Sequence, residues 1–204
     1  VSSFTVTVPT TADTLDEADA PYTLSVGAAS GSGTLVDDDG APAIATVTSD
    51  TQLEGLSLVH TVTLSNPSSV ATTFAYSLGG GTATGGGTDY TTPPTFSNGV
   101  SLLAGNLIVP AGVSSFTITV PTTADTIDEL DETYSLSVGG VAATGTISDD
   151  DAAPTIASVS DASAIEAASI VHTVTLSNPS AVATTYSLSL SDGSATGGGT
   201  DYTS

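Results

Sequence analysis

The chain has no lysine and no arginine. Its 204 residues carry 22 aspartates and glutamates and two histidines, a formal net charge of −22 at pH 7. Nucleic acid and anionic membrane are thereby excluded as direct partners, because both are held through Lys and Arg side chains. Cysteine, methionine and tryptophan are missing as well. Disulfides therefore play no part, and no thiol or thioether is offered to oxidants. Trypsin-like proteases find no cleavage site. These absences suit an extracellular protein. No apolar run approaches the roughly 18 residues of a membrane span, and no signal peptide is visible, so any export or anchoring signal is expected outside this stretch.

What is present is repeated. Asp37-Asp38-Asp39 recurs 112 positions later as Asp149-Asp150-Asp151. The same offset joins Phe4 to Phe116, Pro9 to Pro121, Glu54 to Glu166, His60 to His172, Asn66-Pro67 to Asn178-Pro179 and Asp89-Tyr90 to Asp201-Tyr202. A repeat of this length makes one repeat the folding unit. Residues 40–151 then form the one complete domain, residues 1–39 the C-terminal part of a repeat and residues 152–204 the N-terminal part of another. Neither flank contains the counterpart of Pro93–Gly112. Two readings stay open: a window on a longer array, or two partial domains that complement each other between neighbouring molecules.

The local pattern is β throughout. Val1 to Val8 alternates apolar and hydroxyl side chains, which predicts a strand burying Phe4, Val6 and Val8. Pro9 ends it, Thr10 to Ala20 reads as an acidic loop, Tyr22 to Val26 as a strand, Gly27 to Gly33 as a turn and Thr34 to Val36 as a short strand. In the complete unit, strands are expected over Ile44–Val47, Ser57–Leu64, Thr72–Leu78, Leu107–Val109, Val113–Val120, Tyr134–Val138 and Ala143–Ile147. Asn66-Pro67 marks a turn, and Gly79 to Thr88 a flexible loop leading to Asp89-Tyr90. About seven short strands rich in Thr, Val and Ser predict an all-β fold of tandem immunoglobulin-like β-sandwiches.

The combination resembles the Calx-beta domain as repeated in giant calcium-dependent bacterial adhesins of the RTX type. Its marks here are Glu54-Gly55, then Leu58 to Pro67, then Gly87-Thr88-Asp89-Tyr90, then Asp125 with Glu129 and Glu132, and the closing Asp149-Asp150-Asp151. The resemblance implies a seven-stranded sandwich with calcium sites at one end, serving as a tandem spacer on the bacterial cell surface. It implies ligands Glu54, Asp89, Asp125, Asp128, Glu129, Glu132, Asp149, Asp150 and Asp151. Their counterparts in the flanks are Asp13, Asp16, Glu17, Asp37, Asp38, Asp39, Glu166 and Asp201. Two departures bear on the ions held: Ala124 precedes Asp125 where the family commonly has a second aspartate, and Ala20 stands where Glu132 would be, so the first junction is expected to bind calcium less tightly.

The physical reading of the acids agrees. Of the eleven in residues 40–151, nine cluster in three loops and the terminal linker; Asp50 and Asp131 stand apart. Calcium takes 6 to 8 oxygens from carboxylates and carbonyls on flexible loops, and every candidate here is a hard oxygen. His60 and His172 occupy the same place in an alternating strand and read as structural. The Gly-rich run lacks the Lys and helix of a phosphate loop, and no nucleophile elbow is present. The expectation is therefore a non-enzymatic, calcium-rigidified spacer of a secreted or surface adhesin, involved in adhesion or biofilm formation, with adjacent repeats and calcium ions as its partners. Two other readings are a filament or surface-layer subunit that completes its half-domains with neighbouring copies by strand complementation, and a glycan-binding module using the Gly-rich loop and Tyr90.

Overall fold

The computed structural model describes residues 1–203. They divide into two compact units: residues 1–125 with 131–150, and residues 126–130 with 151–204. The described residues contain β-strands and no α-helix.

In the first unit, β1 (Ala20–Val26) and β2 (Ala29–Leu35) form a separate antiparallel hairpin. Ten strands follow: β3 (Ile44–Val47), β4 (Asp50–Leu53), β5 (Ser57–Leu64), β6 (Thr72–Gly79), β7 (Thr95–Phe96), β8 (Ser101–Leu103), β9 (Asn106–Val109), β10 (Ser115–Pro121), β11 (Glu132–Val138) and β12 (Val141–Ser148). One sheet has the order β3-β5-β10-β7, the other β4-β12-β11-β6-β9-β8. All neighbours are antiparallel except β12 and β4. The all-β sandwich is as expected; its strand count is ten, because β4, β7 and β8 lack the apolar alternation that marks a strand. Those three sit at sheet edges, where pairing to a neighbour defines them more than their own side chains do.

The core lies where the alternation put it. Leu58, His60, Val62 and Leu64 of β5, Phe116, Ile118 and Val120 of β10, and Tyr134, Leu136 and Val138 of β11 are all buried. Phe74 and Tyr76 pack against them half-buried. A buried side-chain link crosses between the sheets. The Thr48 carbonyl lies 2.7 Å from His60 Nδ1 and can only accept, so Nδ1 carries the proton; Nε2 then accepts from the Tyr134 hydroxyl at 2.8 Å. His60 is thus a satisfied core residue, which is how a buried imidazole avoids a desolvation penalty.

Two expectations for residues 1–39 are overturned. Residues 1–8 are not a strand, and Phe4, Val6 and Val8 are exposed. Their counterparts in β10 are held between β5 and β7, and no described strand stands beside residues 1–8. The stretch Gly27 to Gly33 is not one long turn: the turn is Gly27-Ala28, with Gly27 at positive φ, and β2 already begins at Ala29. Its Ala, Ser and Gly residues pair across to β1 in the register that β12 keeps with β11, Tyr22 opposite Gly33 as Tyr134 is opposite Gly145. In both pairs a Cβ on the glycine would overlap the tyrosine ring.

In the second unit, β13 (Ile156–Val159) and β14 (Val174–Leu176) form an antiparallel pair with one irregularity. His172 Nδ1 donates to the Ser160 carbonyl at 2.7 Å, the counterpart of the His60–Thr48 bond, but His172 is exposed.

Candidate metal centre

Strand registers bring the acidic loops of the complete sandwich to one end. Ser57 of β5 pairs with Pro121 of β10, so Glu54, just before β5, and Asp125, just after β10, emerge together. Leu53 of β4 runs parallel beside Ser148 of β12, with the Glu54 N–H donating to the Ser148 carbonyl at 3.0 Å. Asp149 therefore leaves its strand at the same end. Glu132 opens β11 opposite Ile147, and the Gly-rich run folds back so that the Ala83 N–H donates to the Thr133 carbonyl at 2.9 Å. That run is packed against β11: a Cβ on Gly81 would overlap the Thr133 carbonyl oxygen, so glycine is required there.

Carboxylates meet as a result. Oxygens of Glu54 and Asp125 come within 4.8 Å of one another, as do oxygens of Asp89 and Glu132. The Asp125 N–H also donates to Glu54 Oε1 at 3.4 Å. Two unit negative charges at such a distance repel by about 3 kcal/mol at an effective dielectric near 20, and the chain has no cationic Lys or Arg to offset it. Asp89 is held in place by its own loop: its Oδ2 accepts from Thr84 N–H at 2.5 Å, while its N–H donates to the Thr84 carbonyl at 3.0 Å. Asp201 repeats this with Thr196 in the second unit.

Asp149 supplies the sharpest observation. Its Oδ1 is shielded from solvent and accepts no hydrogen bond among the described residues. A buried carboxylate oxygen without a donor is costly, and a hard cation satisfies it where no N–H is at hand. These residues therefore fit calcium: carboxylate oxygens of differing reach on loops, with nitrogen and sulfur donors absent.

Residues 1–39 carry a related arrangement. A cavity of about 110 Å³ is lined by Asp13, Glu17, Asp37, Asp38 and Asp39 together with Thr11, Ala20 and Leu35 among others. The Asp39 carboxyl is held above its ordinary value by loss of hydration first, and then by the charges of Asp38, Asp37, Asp13 and Asp16.

Asp16 and Asp128, expected among the ligands, each accept a hydrogen bond from a serine hydroxyl. The Ser68 hydroxyl donates to Asp16 Oδ2 at 2.7 Å, and backbone bonds run from Asp16 N–H to the Pro67 carbonyl and from Ser69 N–H to the Asp16 carbonyl. In the second unit Ser180 donates to Asp128 Oδ2 at 2.5 Å, with matching bonds to Pro179 and from Ala181. Each aspartate thus clips the acidic loop of one repeat onto the Asn-Pro turn of the next. Asp150 and Glu166 are exposed, and Glu129, Asp151, Glu166 and Asp201 belong to the second unit.

Two residues escaped the sequence reading. Asp131 Oδ1 accepts from the Asp149 N–H at 3.2 Å, and Asp19 Oδ1 from the Asp37 N–H at 3.0 Å, so each anchors the start of an Asp triplet. Their shared offset of 112 was the available signal. Tyr90, offered for glycan contact, is only 3% exposed and packs 4.9 Å from the Tyr134 ring; it is core and presents no face to a sugar.

No family model matches the chain, and no curated protein matches it. Among solved structures it is similar to CBD12 from CALX1.2, at 19% identity and TM-score 0.41, over 57% of this chain and 48% of that one. It is also similar to the calcium binding domain CBD12 of CALX1.1, at 20% identity and TM-score 0.40, over 54% and 45%. The chain thus spans about half the length of each. Neither likeness decides how the acidic loops are used.

Proposed function

We propose that residues 40–151 are a non-enzymatic, calcium-binding sandwich that serves as a spacer repeat in an extracellular or bacterial cell-surface adhesin, with a part in adhesion or biofilm formation. The observation that carries the calcium reading is the shielded, donorless Asp149 Oδ1 in a chain without Lys or Arg. Glu54, Asp125, Asp89 and Glu132 share that end of the sandwich and are the further ligands. Glu129, between Asp125 and Glu132 in sequence, and Asp151, two positions after Asp149, are the remaining acids of that loop and linker. Calcium there supplies the positive charge that lets these carboxylates stay ionised side by side. Stiffening of the joint between repeats follows from neutralising a linker that would otherwise push its loops apart.

The test is calcium titration of the chelator-stripped full chain by calorimetry. Binding is expected with calcium, weaker with magnesium, which demands a tighter octahedral site, and weakened again in Asp149→Asn and Glu54→Gln. Absence of binding at millimolar calcium sinks the calcium reading. Small-angle scattering on the chain extended to whole repeats tests the spacer: a long, sharply defined maximum dimension with calcium should shorten or smear in excess chelator, and an unchanged profile rejects it.

A further inference from the structure

Consecutive repeats share a fastening that involves no cluster of carboxylates. In the first unit the acidic loop, residues 10–20, is exposed except at Leu15 and Asp16, which are half-buried. Asp13 Oδ1 accepts from the Leu15 N–H at 2.8 Å, closing a tight turn just before Asp16. Asp16 then forms a parallel bridge with Ser68. Its N–H donates to the Pro67 carbonyl at 3.1 Å, the Ser69 N–H donates to its carbonyl at 2.8 Å, and the Ser68 hydroxyl donates to its Oδ2 at 2.7 Å. Ser68 is only 3% exposed, and its own carbonyl accepts from the Gly112 N–H at 2.8 Å. The seat for Asp16 is thereby tied to the turn between β9 and β10 of the complete domain.

The second unit repeats the bridge and all three bonds. Asp128 bridges Ser180, its N–H donates to the Pro179 carbonyl at 3.3 Å, the Ala181 N–H donates to its carbonyl at 2.9 Å, and the Ser180 hydroxyl donates to its Oδ2 at 2.5 Å. Ile127 stands where Leu15 stands and is half-buried like it. Ala181 replaces Ser69 without cost to the pattern, because only its backbone is used. In the first unit the complete domain supplies the seat, and in the second it supplies the loop. The same clip therefore forms whichever of the two repeats is whole.

We infer, on the reading of these repeats as spacers, that residues 66–70 and 178–182 are seats for the acidic loop of the preceding repeat, and that this clip closes without calcium. A serine hydroxyl and a charged carboxylate make one of the stronger hydrogen bonds, so Asp16 and Asp128 are met by donors of the protein itself. Asp128 stands between the candidate ligands Asp125 and Glu132 in sequence. One loop thus serves two fastenings, an ion and the turn of the next repeat. Removing calcium loosens such a joint and leaves it tethered.

The test is amide hydrogen exchange, followed by NMR on the chelator-stripped full chain and again with calcium. The amides of Asp16 and Ser69 report the first clip, and those of Asp128 and Ala181 the second. All four are expected to exchange about tenfold or more slowly than in an unstructured chain, in chelator as in calcium. Ser68→Ala and Asp16→Ala should each return the amides of residues 16 and 69 to nearly the unstructured rate. Asp128, Ala181 and the thermal transition of residues 40–151 should be unchanged, and if Ser68→Ala disturbs that transition, Asp16→Ala, made in the loop, carries the test. Wild-type amides protected only in calcium, or protection that persists in Asp16→Ala, would overturn the inference. The calcium titration reads other carboxylates, so either result can fail without the other.

Discussion

Phe4 and Phe116 occupy the same place in the repeat, with the same neighbours in sequence, yet one is 72% exposed and the other 2%. Leu24 and Leu136 differ in the same way, 37% against 0%. Alternation of apolar and hydroxyl residues states which face would be buried, and it says nothing about whether a partner is there to bury it. The hairpin β1-β2 forms regardless, because its partners are adjacent in the chain and joined by a two-residue turn. Residues 1–8 form no strand, and no described strand pairs with them. Local pairing survives in the flank, and long-range pairing does not.

The largest expected effect comes from truncating the same residue in both places. Phe116→Ala should cost about 3–5 kcal/mol of unfolding free energy for the complete domain, since it removes a ring packed on all sides. Phe4→Ala in dilute protein should change that transition by less than about 0.5 kcal/mol, as for an ordinary surface site. Denaturant melts of the full chain measure both. Equal losses would mean that residues 1–8 already pack in solution, and the contrast between flank and domain would be gone. His60→Ala against His172→Ala repeats the comparison on a polar residue. The first leaves the Tyr134 hydroxyl without a partner inside the core, costing about 1–3 kcal/mol beyond the lost packing; the second, exposed, should be close to silent.

Calcium comes next in size. If the complete domain binds it, ligand at one hundred times its dissociation constant raises stability by about 2.7 kcal/mol. Asp149→Asn should abolish most of that gain while altering the chelator-stripped protein little. Asp37→Asn, its counterpart in the flank, should leave the gain intact. Thermal melts with and without calcium distinguish the two, and a gain lost in Asp37→Asn but kept in Asp149→Asn would place the dominant ion in residues 1–39 and not at Asp149.

The sandwich was largely legible because its core strands carry strict alternation. β3 and β5 stand at their predicted limits, and Leu58, His60, Val62 and Leu64 point inward as expected. β4, Asp-Thr-Gln-Leu, was not legible: it pairs in parallel at a sheet edge and owes its conformation to β12. The acidic loops could be read as one cluster from composition, but composition could not sort them. Asp16 and Asp128 look like the other acids until the folded chain sets a serine hydroxyl against each. Asp131 looks isolated until it is seen to hold the backbone of Asp149. Which carboxylates crowd one another and which face a donor depends on registers that no single loop encodes.

The smallest effect separates the two flanks from each other through pH. Asp39 is held above its ordinary value, by lost hydration first and then by neighbouring acids. Its folded form therefore keeps a proton to higher pH than the unfolded chain does. That arrangement of residues 1–39 is favoured as pH falls from neutral through the raised value, and the advantage is lost as pH rises through it. Asp192 lies the other way. The Tyr202 hydroxyl and the Gly197 N–H donate to its carboxylate and hold it below its ordinary value. Its contribution is present above the unfolded value and is lost as pH falls through the lowered one. Carboxyl carbon chemical shifts followed from pH 7 to pH 2 should show Asp39 titrating before Asp192. The Asp192 shift should move toward an ordinary value in Tyr202→Phe. A reversed order would show that the crowding of Asp37, Asp38 and Asp39 is relieved in solution, and with it the reason for a cation at that end of the flank.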